Sequence, residues 1–362
     1  MQLFLLTLSA RSYSIVLSFY IKCIESCSRT NWIILTMTIL VSGCAGFIGY
    51  HVSLQLLERG DKVTGIDNLN NYYDLKLKET RLTKLKKYSG FTFLKADIAD
   101  IDAIDDIVDK NRDIEMIVHL AAQAGVRYSL INPHAYIRAN VQGQLVMLEA
   151  ARKLPKLKHF VYASSSSVYG SNKKLPFSIS DSTDTPVSLY AATKKSGEMH
   201  AHAYAHIYQI PTTGLRFFTV YGPWGRPDMA AYIFVRRILA REPIDIFNHG
   251  NMRRDFTYID DIVSGVLSCL DNPPIANRME VSARLYNIGN HRSESLMDFI
   301  SIIEDELKIK AKKNFLPLQP GDVPETFADI SSLQHDFGFS PKTPISIGLP
   351  RFVRWYRDYH EV

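Results

Sequence analysis

Tyr190 and Lys194 stand four residues apart in LYAATKKSGE. On a helix this spacing puts a phenol and an ammonium one turn apart on one face. An ammonium close to a phenol stabilises the phenolate, which is then a usable base near neutral pH. The same pair also fits an ordinary amphipathic helix face, so its surroundings decide its meaning. Upstream, HFVYA leads into Ser164, Ser165, Ser166 and Ser167, and Val168-Tyr169-Gly170 closes the run. Four hydroxyls and no carboxylate stand where an apolar strand should end. Serines orient and hydrogen-bond a substrate, but they cannot be the carboxylate acid/base that an elimination needs. A phenolate base beside hydroxyl groups is suited to taking the proton of a substrate hydroxyl, as an oxidation at that carbon would require.

Such chemistry needs a hydride acceptor. Gly43, Gly46 and Gly49 give G-x-x-G-x-x-G between the apolar run TILVSG and the helix-like FIGYHVSLQLLERG, with Phe47 and Ile48 inside the motif. The three glycines allow a tight turn, a close backbone approach to a pyrophosphate, and tight packing of helix on strand. The phosphates then lie at a helix N-terminus, where free N–H groups and the dipole favour anions. Asp67 ends the second strand in VTGIDN. Its carboxylate suits both ribose hydroxyls and repels a 2′-phosphate, so the expected cofactor is NAD rather than NADP. Asp97, in LKADI, ends the third strand, where it is either an adenine contact or an exposed cap of the next helix. Lys194 is expected to touch the cofactor as well as Tyr190.

The elements that carry these residues alternate. TILVSG, KVTGID, FTFLKAD, MIVHLAA, HFVYASS and TTGLRFF are near-continuous apolar runs separated by helical patterns. That order predicts an α/β fold, a Rossmann-type doubly wound parallel sheet covered on both faces. After about Arg216 the alternation loosens and Gly and Pro punctuate the chain, as in YGPWGRPDM and QPGDVPE. The expected organisation is a dinucleotide-binding domain at 37–217 and a smaller C-terminal α/β substrate domain at 218–362, partly interleaved with the first.

The chain has 362 residues, 46% hydrophobic and 22% charged, with a formal net charge of +5. A large core is therefore available, and the mild positive excess suits a small anionic substrate better than nucleic acid. Four cysteines, Cys23, Cys27, Cys44 and Cys269, have neither metal-ligand nor disulfide-framework spacing, which fits a reducing, cytoplasmic setting and no metal. Residues 1–36 are apolar but broken by Arg11, and fit neither a signal peptide nor a membrane span well. They are expected to be a disordered or artefactual extension preceding a start at Met37, with a weak membrane anchor as the rival reading.

Taken in order, GxxGxxG, SSSSVYG and YxxxK resemble the extended short-chain dehydrogenase/reductase family, specifically its nucleotide-sugar epimerases and dehydratases. The resemblance runs from Met37 to the C-terminus. DNLNNYYDLKLKETRL, AAQAGVRYSLINPHAY, YGPWGRPDMA, FNHGNMRRDFTYIDDI and QPGDVPET are most similar to the subgroup that epimerises UDP-glucuronate at carbon 4. The resemblance implies a transient 4-keto sugar, NAD regenerated in each cycle, and Ser165, Tyr190 and Lys194 as the catalytic set. It implies substrate contacts from Ser166, Ser167, Thr219, Arg226, Arg254, Gln319 and Asp322, with Arg226 near the uronate and Arg254 on the diphosphate. Arg127 and Tyr128 are further candidates, Asn140 is expected to be structural, and Arg253 to be a solvated charge. Cys44 departs from the family pattern and is expected to make the loop sensitive to thiol reagents. The family also implies a homodimer built on the helices around 133–153 and 188–209. The rival functions are a neutral UDP-hexose 4-epimerase, a UDP-glucuronate decarboxylase, and a non-catalytic nucleotide-sugar binder.

Overall fold

The first strand, β1 (Thr38–Ser42), is TILVS, and its side chains are buried on both faces of the sheet. Ile39 and Val41 join one apolar cluster while Leu40 joins another. A strand sandwiched in this way has to be apolar throughout, which is why the run is continuous rather than alternating. The computed structural model describes residues 36–275, 281–319 and 322–362. The expectations for residues 1–36, apart from Thr36, lie outside the described residues, as do Cys23 and Cys27.

The chain continues through α1 (Phe47–Arg59), β2 (Lys62–Asp67), α2 (Leu75–Leu85), β3 (Phe91–Lys95), α3 (Ile101–Lys110) and β4 (Met116–His119). Two short helical turns, Tyr128–Ile131 and Pro133–Tyr136, and a π-helical stretch, Ile137–Gln142, lead into α4 (Gly143–Lys153). Then come β5 (His159–Ser165), a 3₁₀ turn at Ser166–Tyr169, α5 (Leu189–Tyr208) and β6 (Thr212–Phe217). The rest of the chain is β7 (Thr219–Tyr221), α6 (Ala230–Leu239), β8 (Ile244–Ile246), β9 (Arg253–Arg254), β10 (Phe256–Tyr258), α7 (Ile259–Leu270), β11 (Ala283–Ile288), β12 (Glu294–Ser295), α8 (Leu296–Leu307), β13 (Lys313–Phe315), β14 (Glu325–Thr326), α9 (Ser331–Phe337) and α10 (Ile345–His360).

Among the described residues, seven strands form one sheet in the order β11-β6-β5-β4-β1-β2-β3, with every pairing parallel. This is the expected doubly wound sheet. Its order reverses between β1 and β4, and ligands bind such sheets at that point, outside the carboxyl ends of the strands. The sequence reading did not assign β11, which returns from the C-terminal half to pair with β6 from Ala283↔Thr212 to Ile288↔Phe217. Three small sheets, β7 with β10, β9 between β12 and β14, and β8 with β13, organise the remainder.

Local chemistry sets the helix ends that matter for the site. The Ser188 hydroxyl accepts from the Ala191 amide and starts α5, which carries Tyr190 and Lys194. α1 starts at Gly46 with no side-chain cap and ends at Gly60, whose φ of +97° closes the helix in a left-handed residue. The amides of its first turn therefore remain available to a ligand.

Candidate active site

The cofactor cradle is built from the glycines upward. Gly43 has φ +75°, and a Cβ there would lie 2.8 Å from the Ala121 amide nitrogen. A Cβ on Gly49 would sit 2.0 Å from the Gly43 carbonyl oxygen. The turn therefore tolerates no side chain at either position, and the backbone can approach a pyrophosphate closely. Gly46 lies at the helix start, Phe47 is buried, and Ile48 is partly exposed beside it. The buried Asp67 carboxylate accepts from the Ala45 amide at 3.2 Å and the Leu69 amide at 2.8 Å. That places an acceptor at the tip of β2, level with the glycine turn. Glycine cradle, uncapped helix start and carboxylate together fit a dinucleotide with an unphosphorylated ribose.

Asp97 lies further out. Its carboxylate accepts from the Ala99 amide at 2.9 Å and pairs with Arg138 at 3.3 Å, and the α3 cap is Asp100 instead. Cys44 is fully buried, and burial pushes its thiol well up from the ordinary value. An inaccessible, protonated thiol is unreactive, so the expected thiol sensitivity at Cys44 is corrected.

Ser165 ends β5 with an extended backbone, and its hydroxyl accepts from the Ser167 amide at 3.2 Å. This starts the 3₁₀ turn that holds Ser166 and Ser167, both partly exposed. The Ser165 hydroxyl lies close enough to the Tyr190 phenol to influence it. Burial is the largest influence on that phenol and raises its pKa, while Ser165 and the Arg226 charge pull it down. Lys194 was expected to do the lowering. Instead its ammonium donates to the Ala163 carbonyl on β5 at 2.8 Å, and burial lowers its pKa to about 8. Among the neighbouring charges, that of Arg226 lowers the phenol's pKa. His119, at the end of β4, shares a 2.7 Å hydrogen bond with Ser42. Burial, helped by the Lys194 charge, drops its pKa to about 3 and keeps it neutral.

Ser164 points away from the site. Its hydroxyl donates to Glu198 at 2.6 Å, and Glu198 also receives Arg216 bidentately at 2.8 and 2.9 Å. Arg216 donates in turn to the Tyr169 hydroxyl at 3.0 Å, which donates to Asn287 at 2.6 Å. A buried, fully paired network thus ties β5, the serine turn, α5, β6 and β11 together beneath the catalytic edge. Asn140 accepts from the Gln123 amide at 2.8 Å and donates to the Gln123 carbonyl and the Thr193 hydroxyl, both at 3.0 Å. It joins the loop after β4 to α5.

Thr219 begins β7, and its amide donates to the Asp255 carbonyl. Thr219 and Arg226 line one small cavity with Gly222 and Met229. Arg226 grips Asp228 with Nε at 3.0 Å and a terminal nitrogen at 2.5 Å, and Tyr72 donates to the same carboxylate at 3.1 Å. Arg254, on β9, donates to the Arg253 and Pro324 carbonyls. Burial lowers its pKa, the Asp322 charge raises it, and Arg127 lowers it further, so these three groups share one neighbourhood. Arg127 pairs with Asp322 at 3.0 Å and lies over the Phe247 ring. The Asp322 amide bonds the Gln319 carbonyl. Arg253 is not simply solvated: it bonds Ser293 and pairs with Glu325 at 3.5 Å.

Sequence reading missed Asp228, Tyr72, Tyr136 and the Glu198–Arg216 pair. Asp228 follows Arg226 by two residues and Glu198 follows Lys194 by four, so both left a spacing signal. Tyr136 left none; its ring meets Tyr190 edge-on at 6.0 Å and its hydroxyl bonds the Ala124 and Gly125 carbonyls. A cavity of about 590 Å³, lined in part by Tyr162, Glu198, Arg284 and His335, contains none of the expected site residues.

The chain is similar to UDP-glucuronate 4-epimerase 2 of Arabidopsis thaliana, 48% identical over 335 residues that take in 90% of this chain and 77% of the plant protein. A probable UDP-glucuronate 4-epimerase of Rhizobium meliloti strain 1021 is 46% identical over 332 residues, 88% of this chain and 97% of that one. The crystal structure of UDP-glucuronic acid 4-epimerase from Bacillus cereus, in complex with UDP-glucuronic acid and NAD, superposes with a TM-score of 0.82 at 36% identity, covering 89% of this chain and 100% of the other. The sequence pattern of one family matches residues 39–289, and the chain belongs to it: the NAD dependent epimerase/dehydratase family.

Proposed function

We propose that the protein interconverts UDP-glucuronate and UDP-galacturonate by epimerisation at carbon 4. One observation carries the reading. The turn beside Tyr190 presents the hydroxyls of Ser165, Ser166 and Ser167 with no carboxylate among them, and Arg226 is the cation whose charge reaches that phenol. The similarity to UDP-glucuronate 4-epimerases supports it.

Gly43, Gly46, Phe47, Ile48 and Gly49 would hold the NAD pyrophosphate region, Asp67 the ribose, Asp97 the adenine end, and Lys194 the nicotinamide side. NAD supplies the acceptor and donor for the hydride of carbon 4. Tyr190 takes the proton of the 4-hydroxyl and later returns it. Ser165 orients that hydroxyl from beside the phenol, and the Lys194 ammonium steadies the charge while proton and hydride are apart. Ser166, Ser167 and Thr219 hold the uronate by hydrogen bonds, each worth about 1.5–3 kcal/mol to a charged acceptor. The carboxylate has to be held, because a 4-keto uronate is a β-keto acid that loses carbon dioxide readily. Arg226 sets the charge there. Arg254 holds the diphosphate, with Gln319 and Asp322 on the nucleotide.

On this reading residues 37–217 carry the cofactor and residues 218–362 the sugar. Two copies pair through α4 and α5, where Leu145, Met199 and Ile207 are exposed. Among the described residues no helix is long and apolar enough to cross a membrane. The buried free thiols Cys44 and Cys269 suit a reducing cytoplasm.

Incubation with UDP-glucuronate and chromatography of the products tests the reading, and UDP-galacturonate is the expected product. A UDP-pentose would indicate the decarboxylase, turnover of UDP-glucose alone the hexose epimerase, and binding without turnover a nucleotide-sugar binder.

A further inference from the structure

Two arginine–carboxylate pairs lie near the catalytic edge, and they are built differently. Arg216 and Glu198 are 2% and 3% exposed, and Ser164 and Tyr169 complete their hydrogen bonds. That pair is a fixed part of the scaffold. Arg226 and Asp228 are 20% and 29% exposed, within the short loop segment Arg226-Pro227-Asp228. Asp228 fills one edge of the Arg226 guanidinium, Nε and one terminal nitrogen, in the bidentate geometry an arginine offers to a carboxylate.

A run of aromatic contacts joins the pair to Tyr190. Tyr72, which donates to Asp228, packs on Tyr128 at 4.8 Å; Tyr128 meets Tyr136 at 6.3 Å, and Tyr136 meets Tyr190 at 6.0 Å. Gly125 keeps this region open: a Cβ there would lie 3.1 Å from the Tyr72 hydroxyl and 3.9 Å from Asp228 Oδ2. In a uronate the carboxylate is bonded to carbon 5, next to the carbon that Tyr190 addresses. On the proposed reading, on which this inference rests, the substrate carboxylate and Asp228 compete for one guanidinium.

The geometry points to Asp228 as an internal occupant of the uronate subsite, displaced from Arg226 by the incoming substrate carboxylate and returned to it on product release. Asp228 thus moderates the discrimination that Arg226 provides, because it competes with a uronate and not with a neutral hexose. A uronate replaces one carboxylate by another on Arg226, whereas a neutral hexose brings nothing to exchange and leaves the pair closed. Asp228 also keeps Arg226 from standing as an uncompensated charge while the sugar site is empty, with Tyr72 as the donor that remains to it after displacement.

Exchange has a measurable cost to affinity, because only the fraction of protein with a free Arg226 fork is competent to bind. The test uses the NAD-loaded enzyme and titration calorimetry with UDP-glucuronate and UDP-glucose, which share the nucleotide and differ in the carboxylate. Asp228→Asn should tighten UDP-glucuronate by roughly threefold or more while leaving UDP-glucose within about twofold. Asp228→Ala, which adds no new polar group, should likewise tighten UDP-glucuronate alone, and it stands in if the asparagine variant loses NAD. Unchanged affinity, equal tightening of both ligands, or weaker UDP-glucuronate overturns the exchange. A parent that binds UDP-glucuronate without turning it over removes the epimerase reading and leaves the exchange standing. A parent that epimerises, with variants that keep the parental affinity ratio, does the reverse.

Discussion

The Ser164 hydroxyl and the Arg216 guanidinium meet on the same oxygen of Glu198, at 2.6 and 2.8 Å. Glu198→Gln removes the charge but keeps the volume, and leaves Arg216 buried and uncompensated. Breaking one partner out of a buried pair costs about 3–5 kcal/mol. Urea unfolding should show a loss of that order. A loss below about 1 kcal/mol would match an exposed pair and would refute the structural weight given to this network.

Tyr190→Phe removes the proton acceptor and keeps the ring that meets Tyr136. Turnover should fall by about 10² to 10⁴ while NAD stays bound, since a positioned acid/base group contributes that much. Parental turnover by a homogeneous Phe variant would sink the assignment.

Lys194 sets a pH dependence of stability in the cofactor-free protein. Burial lowers its pKa from 10.5 to about 8. Between those values the unfolded chain holds the proton and the native chain does not, so stability rises with pH across that window and is lost as pH falls through about 8. Relative to Lys194→Met, the parent should gain on the order of 3 kcal/mol between pH 7.5 and 10.5. A gap that stays constant over this range, measured by urea unfolding, would contradict a buried lysine there.

Gly49→Ala should cost the protein its cofactor. The added methyl would overlap the Gly43 carbonyl at 2.0 Å, and the contact is with backbone, so the turn itself has to move. NAD released on denaturation should drop well below the parental amount. Full retention would show that the turn is not the pyrophosphate cradle.

A chain shortened to begin at Met37 should fold and keep NAD. Met37 is stitched to the fold already: its amide donates to Asp61 at 3.1 Å and its carbonyl accepts from the Lys62 amide at 2.9 Å. The shortened chain holds only Cys44 and Cys269, both buried. Neither should react with a thiol reagent until denaturant is added. Rapid labelling of the native chain would restore the thiol-sensitive reading of the loop.

Sequence reached the parallel sheet because strands buried on both faces leave unbroken apolar runs, as in TILVS and HFVYASS. It reached the glycine turn and the Tyr190 helix because both depend on neighbours in the chain. It missed β11, whose place is set by pairing with β6, an element that ends far upstream. It expected Lys194 beside the phenol from helical spacing alone, but the ammonium's partner is a carbonyl of another strand. It took Cys44 as accessible because burial comes from the packing of distant segments, including Gly65, whose Cβ position would lie 2.7 Å from the sulfur. Asp228 was passed over because its two-residue spacing from Arg226, within a loop, is too common to mark a pair without the geometry.

The return of β11 to the sheet has a consequence for how the protein is made. β6 leaves the ribosome with one edge uncovered, and the strand that covers it follows roughly 70 residues later, which at 5–20 residues per second is about 4–14 seconds. During that interval the edge presents free amides and carbonyls to any extended chain nearby. Nascent chains arrested between β6 and β11 should therefore recruit a holdase chaperone, and chains that have released Ile288 should shed it.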